Sequence, residues 1–138
     1  MKAAWLALLL TAGCGRGPNE TRAEAVRCAT CGMIVTSDSG WRAGTAADTF
    51  DSPKCLLRLL HRGGDAADAW VIEYYSQERR PAREMLYVWG SDLESPMGRD
   101  LVPVEGRDAA ERLRVDHRGE GVLAWDEIDA ERVEALFR

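Results

Sequence analysis

Apolar and polar residues alternate along this chain in short blocks, and each block carries one element. Met33-Ile34-Val35-Thr36 reads as a short strand, Ser37-Asp38-Ser39-Gly40 as turn chemistry, and Trp41 to Ala47 as a second strand. Asp51-Ser52-Pro53 then opens a helix, because proline suits the first helical position and Ser or Asp the cap. Leu56, Leu59 and Leu60 recur at i, i+3 and i+4 and predict one buried stripe. Gly63-Gly64 ends the helix, and Trp70 to Tyr75 is rich in β-forming residues.

The same order returns in the second half. Met85 to Trp89 predicts a strand, 90–100 a loop with Pro96 and Gly98, and Leu101 to Val104 a strand. Gly106-Arg107-Asp108 leads into a helix with Ala109, Ala110 and Leu113 on one side, ending near Gly119, and Val122 to Trp125 predicts a strand. A final helix from Asp126 to Phe137 buries Ala130, Val133 and Phe137, with Asp126 as its cap. The expected fold is therefore α+β: two small ββαβ repeats packed together, plus a C-terminal helix. Trp41, Trp70, Trp89, Trp125 and Met85 are expected in the shared core, since neither repeat alone buries enough surface.

The N-terminus has a different pattern. Lys2 precedes an apolar run from Ala3 to Leu10, too short for a bilayer, which takes about 20 apolar residues. It reads as a signal peptide. Ala12-Gly13 leads into Cys14 in the manner of a bacterial lipobox, although Thr11 stands where an aliphatic residue is usual. The expected organisation is a lipoprotein signal over residues 1–13 and a lipidated, polar, flexible tether over 14–26. A metal-binding domain then spans 27–138, divided into units at 27–78 and 79–138. This places the protein on the periplasmic face of a membrane, held by lipid on Cys14. The formal charge is −5 with no Lys/Arg block, which excludes a nucleic-acid footprint.

The cysteines carry the chemistry. With Cys14 lipidated, Cys28, Cys31 and Cys55 remain, an odd number that cannot close completely into disulfides. Cys28-Ala29-Thr30-Cys31-Gly32-Met33 places two thiols and a thioether within six residues. As a redox dithiol the pair lacks the helix N-terminus that lowers a thiol pKa. As a zinc site it needs two more ligands. Cys55 and His61 are the candidates, yet on a helix they lie about 240° apart round the axis. As a Cu(I) site it is well supplied, because thiolate and thioether select soft ions and Gly32 lets Met33 turn back toward the thiols. A plain Cys28–Cys31 disulfide in a structural lipoprotein is the remaining reading. Met97, between Pro96 and Gly98, is either a further thioether ligand, a docking contact, or a side chain folded onto the sheet. Cys55 is either a third thiolate or an inert core residue. His61 and His117 sit at helix ends and complement the dipole. No acid–base pair, nucleophile triad or phosphate loop is present, so no enzyme is expected.

Cys28-Ala29-Thr30-Cys31-Gly32-Met33-Ile34 resembles the CxxCGM segment of the nitrous oxide reductase accessory lipoprotein family, NosL. Leu86 to Gly98 (LYVWGSDLESPMG) is similar to that family's YVxGSDxxxPMG signature, and Val122 to Ile128 (VLAWDEI) to its VLxFDEI. Asp51 to Leu60 resembles the helix of relatives that carry the two-cysteine cassette; many other members have a single cysteine. The resemblance implies paired ββαβ units and a periplasmic Cu(I) chaperone. Such a chaperone takes copper from a donor and supplies it to nitrous oxide reductase. On this reading Cys28, Cys31 and Met33 form the primary cluster, and Met97 and Cys55 complete it.

Overall fold

The computed structural model describes residues 25–138. The expected signal peptide, Cys14 and most of the tether lie outside them. Among the described residues no helix is long and apolar enough to cross a membrane.

Two antiparallel sheets carry the fold. The first is built from β1 (Ala43–Gly44), β2 (Thr49–Phe50), β3 (Trp70–Ile72) and β4 (Arg79–Pro81), in the order β2-β1-β3-β4. Helix α1 (Pro53–His61) connects β2 to β3. The second is built from β5 (Leu86–Trp89), β8 (Val102–Val104) and β9 (Gly121–Ala124), in the order β8-β5-β9, with α2 (Arg107–Asp116) between β8 and β9. In both sheets the chain runs ββαβ and the first strand lies in the middle. The loop between β5 and β8 folds into a small hairpin of β6 (Glu94–Ser95) and β7 (Gly98–Arg99). Helix α3 (Ala130–Ala135) closes the described chain.

Several local expectations fail, each for a visible reason. Residues 33–36 are not a strand. Only Ile34 pairs, with Arg27, because the segment is spent closing a turn around the two cysteines. The long strand expected at 41–47 stops at Gly44, where the Thr45 hydroxyl accepts the amides of Ala47 and Asp48 and turns the chain into β2. β4 (Arg-Arg-Pro) lacks β-forming residues, yet it pairs with β3 as an edge strand, where proline is tolerated. Asp126 does not cap the last helix. Trp125–Glu127 is a 3-10 turn, and Asp129 accepts the Arg132 amide at 2.7 Å to start α3. Ala130 is therefore exposed, and Ile128 and Val133 are buried instead. The four tryptophans are half-buried at the edges of the core. Its centre is held by Phe50, Leu56, Tyr87 and Leu101, with Met85 buried as expected.

Helix α1 buries its whole first half, Pro53 to Leu57, rather than one stripe. Lys54 is enclosed with the rest. Its ammonium donates to the carbonyls of Met97 (2.7 Å), Arg99 (2.8 Å) and Leu136 (3.1 Å), and lies over the Phe137 ring. Its backbone amide donates to Asp100 Oδ1 at 2.8 Å, which also accepts Leu101 N at 2.9 Å. The Tyr74 amide, donating to Pro103 O at 2.9 Å, ties the two sheets together.

Asp100 is buried, and burial pushes its carboxyl up to about 6 against the pull of those amides. A free aspartate titrates at about 4. Between the two values the folded chain binds the proton more tightly than the unfolded chain does. Asp100 therefore favours folding most below about pH 4, and loses ~3 kcal/mol of that contribution as the pH rises through about 6. Asp100→Asn keeps an acceptor for both amides and cannot titrate. Urea unfolding is expected to show the wild type losing stability relative to Asp100→Asn across this window. Parallel profiles would contradict it.

Candidate metal centre

The cassette sits at the tip of a narrow hairpin. Val35 N donates to Val26 O, Cys28 N to Met33 O and Gly32 N to Cys28 O, at 2.8–2.9 Å. Gly32 takes a φ of +78°, a left-handed conformation that favours glycine, and the Arg27 guanidinium donates to its carbonyl at 3.0 Å. The tip is pinned to the first sheet by Ala29 N donating to Thr49 O at 3.1 Å. It is pinned to α1 by the Thr30 hydroxyl donating to Cys55 O at 2.7 Å.

This folding brings Cys28, Cys31, Cys55 and Asp51 together, with one sulfur or carboxylate oxygen from each lying within 4.8 Å of all the others. Cys28, Cys55 and Asp51 are buried, and Cys31 is half-buried at the accessible edge. Cys55 belongs to the first turn of α1 and Asp51 precedes it by four residues, so both face the hairpin tip.

Asp51 is the member of this cluster that sequence reasoning missed. Its position before Ser52-Pro53 suggested a helix cap. Ser52 is the N-cap instead, without a side-chain bond, and the Asp51 carboxylate turns to the thiols. Oδ2 accepts from the Cys31 thiol at 3.5 Å, while Oδ1 is buried and has no partner. The four-residue spacing from Asp51 to Cys55 was the available signal. His61, weighed as a fourth zinc ligand, is exposed and outside the cluster, and His117 pairs with Asp92 at 3.0 Å.

The methionines are placed differently. Met33 is 39% exposed, two residues past Cys31 on the same turn. Met97 is half-buried in the turn between β6 and β7. It lines a cavity of about 380 Å³ with Trp89, Arg132 and Leu136, and packs on the same core as Cys31.

The three thiols are not equivalent. A hydrogen bond donated by the Cys55 thiol lowers Cys28 to about 6, helped by the amides of Asp51, Cys31 and Thr30 and opposed by burial. The helix start expected to be missing from this dithiol is thus replaced by a neighbouring thiol and a set of amides. Cys55 is pushed up because it donates to Cys28 and is buried; Cys31 is raised chiefly by burial. At neutral pH the pocket therefore holds one thiolate and two thiols. Three sulfur donors of four suit a soft or borderline cation, and binding one displaces protons from Cys31 and Cys55.

One thiolate is expected to titrate near pH 6 in the metal-free protein, present above that value and lost below it. Ultraviolet thiolate absorbance measures it. The transition should disappear in Cys28→Ser and move to higher pH in Cys55→Ala. An unchanged midpoint in Cys55→Ala would show that the thiol–thiolate bond is not its cause.

The chain aligns with a known structure, the crystal structure of the copper chaperone NosL from Shewanella denitrificans. The TM-score is 0.64 and the identity 21%, over 76% of this chain and 90% of that one. No curated protein sequence matches. The sequence profile of the NosL family matches residues 20–133, which include the cassette, both sheets and most of α3. The chain belongs to the NosL family.

Proposed function

We propose that this protein is a Cu(I) chaperone, anchored by lipid on Cys14 at the periplasmic face of the membrane, that supplies copper to nitrous oxide reductase. The observation that carries the reading is the convergence of three cysteine sulfurs at one site with an accessible edge. Cu(I) accepts two or three soft ligands, and thiolates meet that preference. Cys28, Cys31 and Cys55 hold the ion, and Cys31 offers the route by which an acceptor's ligand enters. Exposed Met33 serves as the first thioether in that exchange. Met97 is the second candidate thioether, at the edge of the same core. Family membership and the copper-binding relative support the copper cargo, and the enzyme partner follows from the family resemblance. Cargo is carried and released rather than chemically transformed, so the protein is a binding protein.

A second reading has one observation in its favour. A thiolate at Cys28 with Cys31 in reach is the arrangement of a thiol–disulfide oxidoreductase.

The deciding experiment is an anaerobic Cu(I) titration of the reduced chain against a Cu(I)-specific chelator, with zinc in parallel. A Cys14→Ser background leaves only the three clustered thiols. About one Cu(I) per chain is expected, lost in Cys28→Ser and lost on oxidation to a Cys28–Cys31 disulfide. Met33→Leu combined with Met97→Leu should weaken binding while leaving thiol reactivity unchanged. Failure to compete for Cu(I), with intact exchange toward disulfide substrates, would replace the chaperone with the oxidoreductase.

A further inference from the structure

Within the cassette, the two residues between the cysteines have no role in the copper reading above. Ala29 offers only its backbone. Thr30 does more, because it touches both halves of the site. It lies in the turn between Cys28 and Cys31, and its hydroxyl donates to the Cys55 carbonyl at 2.7 Å. Cys28 and Cys31 ride on the hairpin tip, whereas Cys55 is fixed in the buried first turn of α1. The Thr30 hydroxyl joins the tip to the backbone of the helix across 25 residues of sequence, beside the 3.5 Å bond from the Cys31 thiol to Asp51. A further link, from Ala29 N to Thr49 O, joins the tip to β2 and does not reach the helix.

We propose that Thr30 is a positioning residue that holds the copper site in its three-sulfur form. With the bond made, the tip lies against α1 and all three sulfurs are in reach of one ion. With it broken, the tip carries Cys28 and Cys31 away from Cys55, and the ion keeps two sulfurs. A two-sulfur ion has an open position and passes more readily to another ligand set. Thr30 thereby sets the balance between holding copper and giving it up. This rests on the three-cysteine reading of the site, and its test separates the two.

The experiment compares wild type, Thr30→Val and Thr30→Ser, each in the Cys14→Ser background, alongside Cys55→Ala. Valine keeps the branched shape and removes the hydroxyl; serine restores the hydroxyl without the methyl. Copper-edge X-ray absorption counts the sulfur ligands, and transfer to a Cu(I)-specific chelator gives the rate of loss. Wild type should show three sulfurs. Thr30→Val should show two and release copper about tenfold faster, as expected for one lost hydrogen bond of typical strength. Thr30→Ser should return both values to those of the wild type. Thermal unfolding of the metal-free variants identifies a general loss of stability, which serine would not repair in the sulfur count. Three sulfurs and an unchanged release rate in Thr30→Val would overturn the proposal, as would a serine variant no better than valine. If the wild type itself shows two sulfurs and Cys55→Ala changes nothing, the three-cysteine reading has failed and Thr30 has nothing to position.

Discussion

One buried cation sets the geometry on which the rest of this structure depends. Lys54 stands in the first turn of α1, where a positive charge opposes the helix dipole, and it is removed from water as well. Three carbonyls and the face of Phe137 offset both costs. Those carbonyls come from the β6–β7 turn, from β7, and from the residue after α3. A single side chain thus gathers the β6–β7 hairpin and the residue after α3 around the start of one helix. Asp100 repeats the theme from the opposite side, accepting the Lys54 amide. The next residue is Cys55, so the clamp that orders the core also fixes the buried sulfur of the metal centre.

This explains why the metal centre is asymmetric. Its buried wall is formed by Cys55 and Asp51, which flank the helix start on either side of Lys54. Its outer wall is a hairpin tip joined to the body by few bonds. The thiol proton of Cys55 stabilises the Cys28 thiolate, so the site carries negative charge for a cation without ionising all three thiols. A fully buried, fully ionised trio would have been costly to assemble without a metal present.

The order of elements was legible in the sequence because it depends on local signals. Ser52-Pro53 marked a helix start, Gly63-Gly64 its end, and the valine-rich blocks their strands. What escaped notice depends on tertiary partners. Arg79-Arg80-Pro81 becomes a strand only because β3 offers it an edge. Lys54 reads as a surface residue until three carbonyls from elsewhere surround it. The choice between Asp126 and Asp129 as helix cap turned on which carboxylate could reach an amide three residues on, a matter of backbone direction that composition does not reveal. At the site, the clustered cysteines were visible as ligands from their spacing and from the family resemblance. Asp51 was visible only as a cap, since its neighbour Ser52 took that position and freed it to face the sulfurs.

The four donors of the centre lie on both sides of β1 and β2 in the sequence. An unfolded chain holds them as two local pairs, Cys28 with Cys31 and Asp51 with Cys55, and leaves the pairs apart. The site therefore comes into being with the native state, and an ion that occupies it binds the native state preferentially. Such an ion stabilises the protein in proportion to the logarithm of its free concentration. The loaded carrier is consequently the longer-lived one: it opens less often and meets proteases less often. The steady-state amount of the protein then follows the supply of the ion it binds as much as its synthesis, with ion-free copies cleared first.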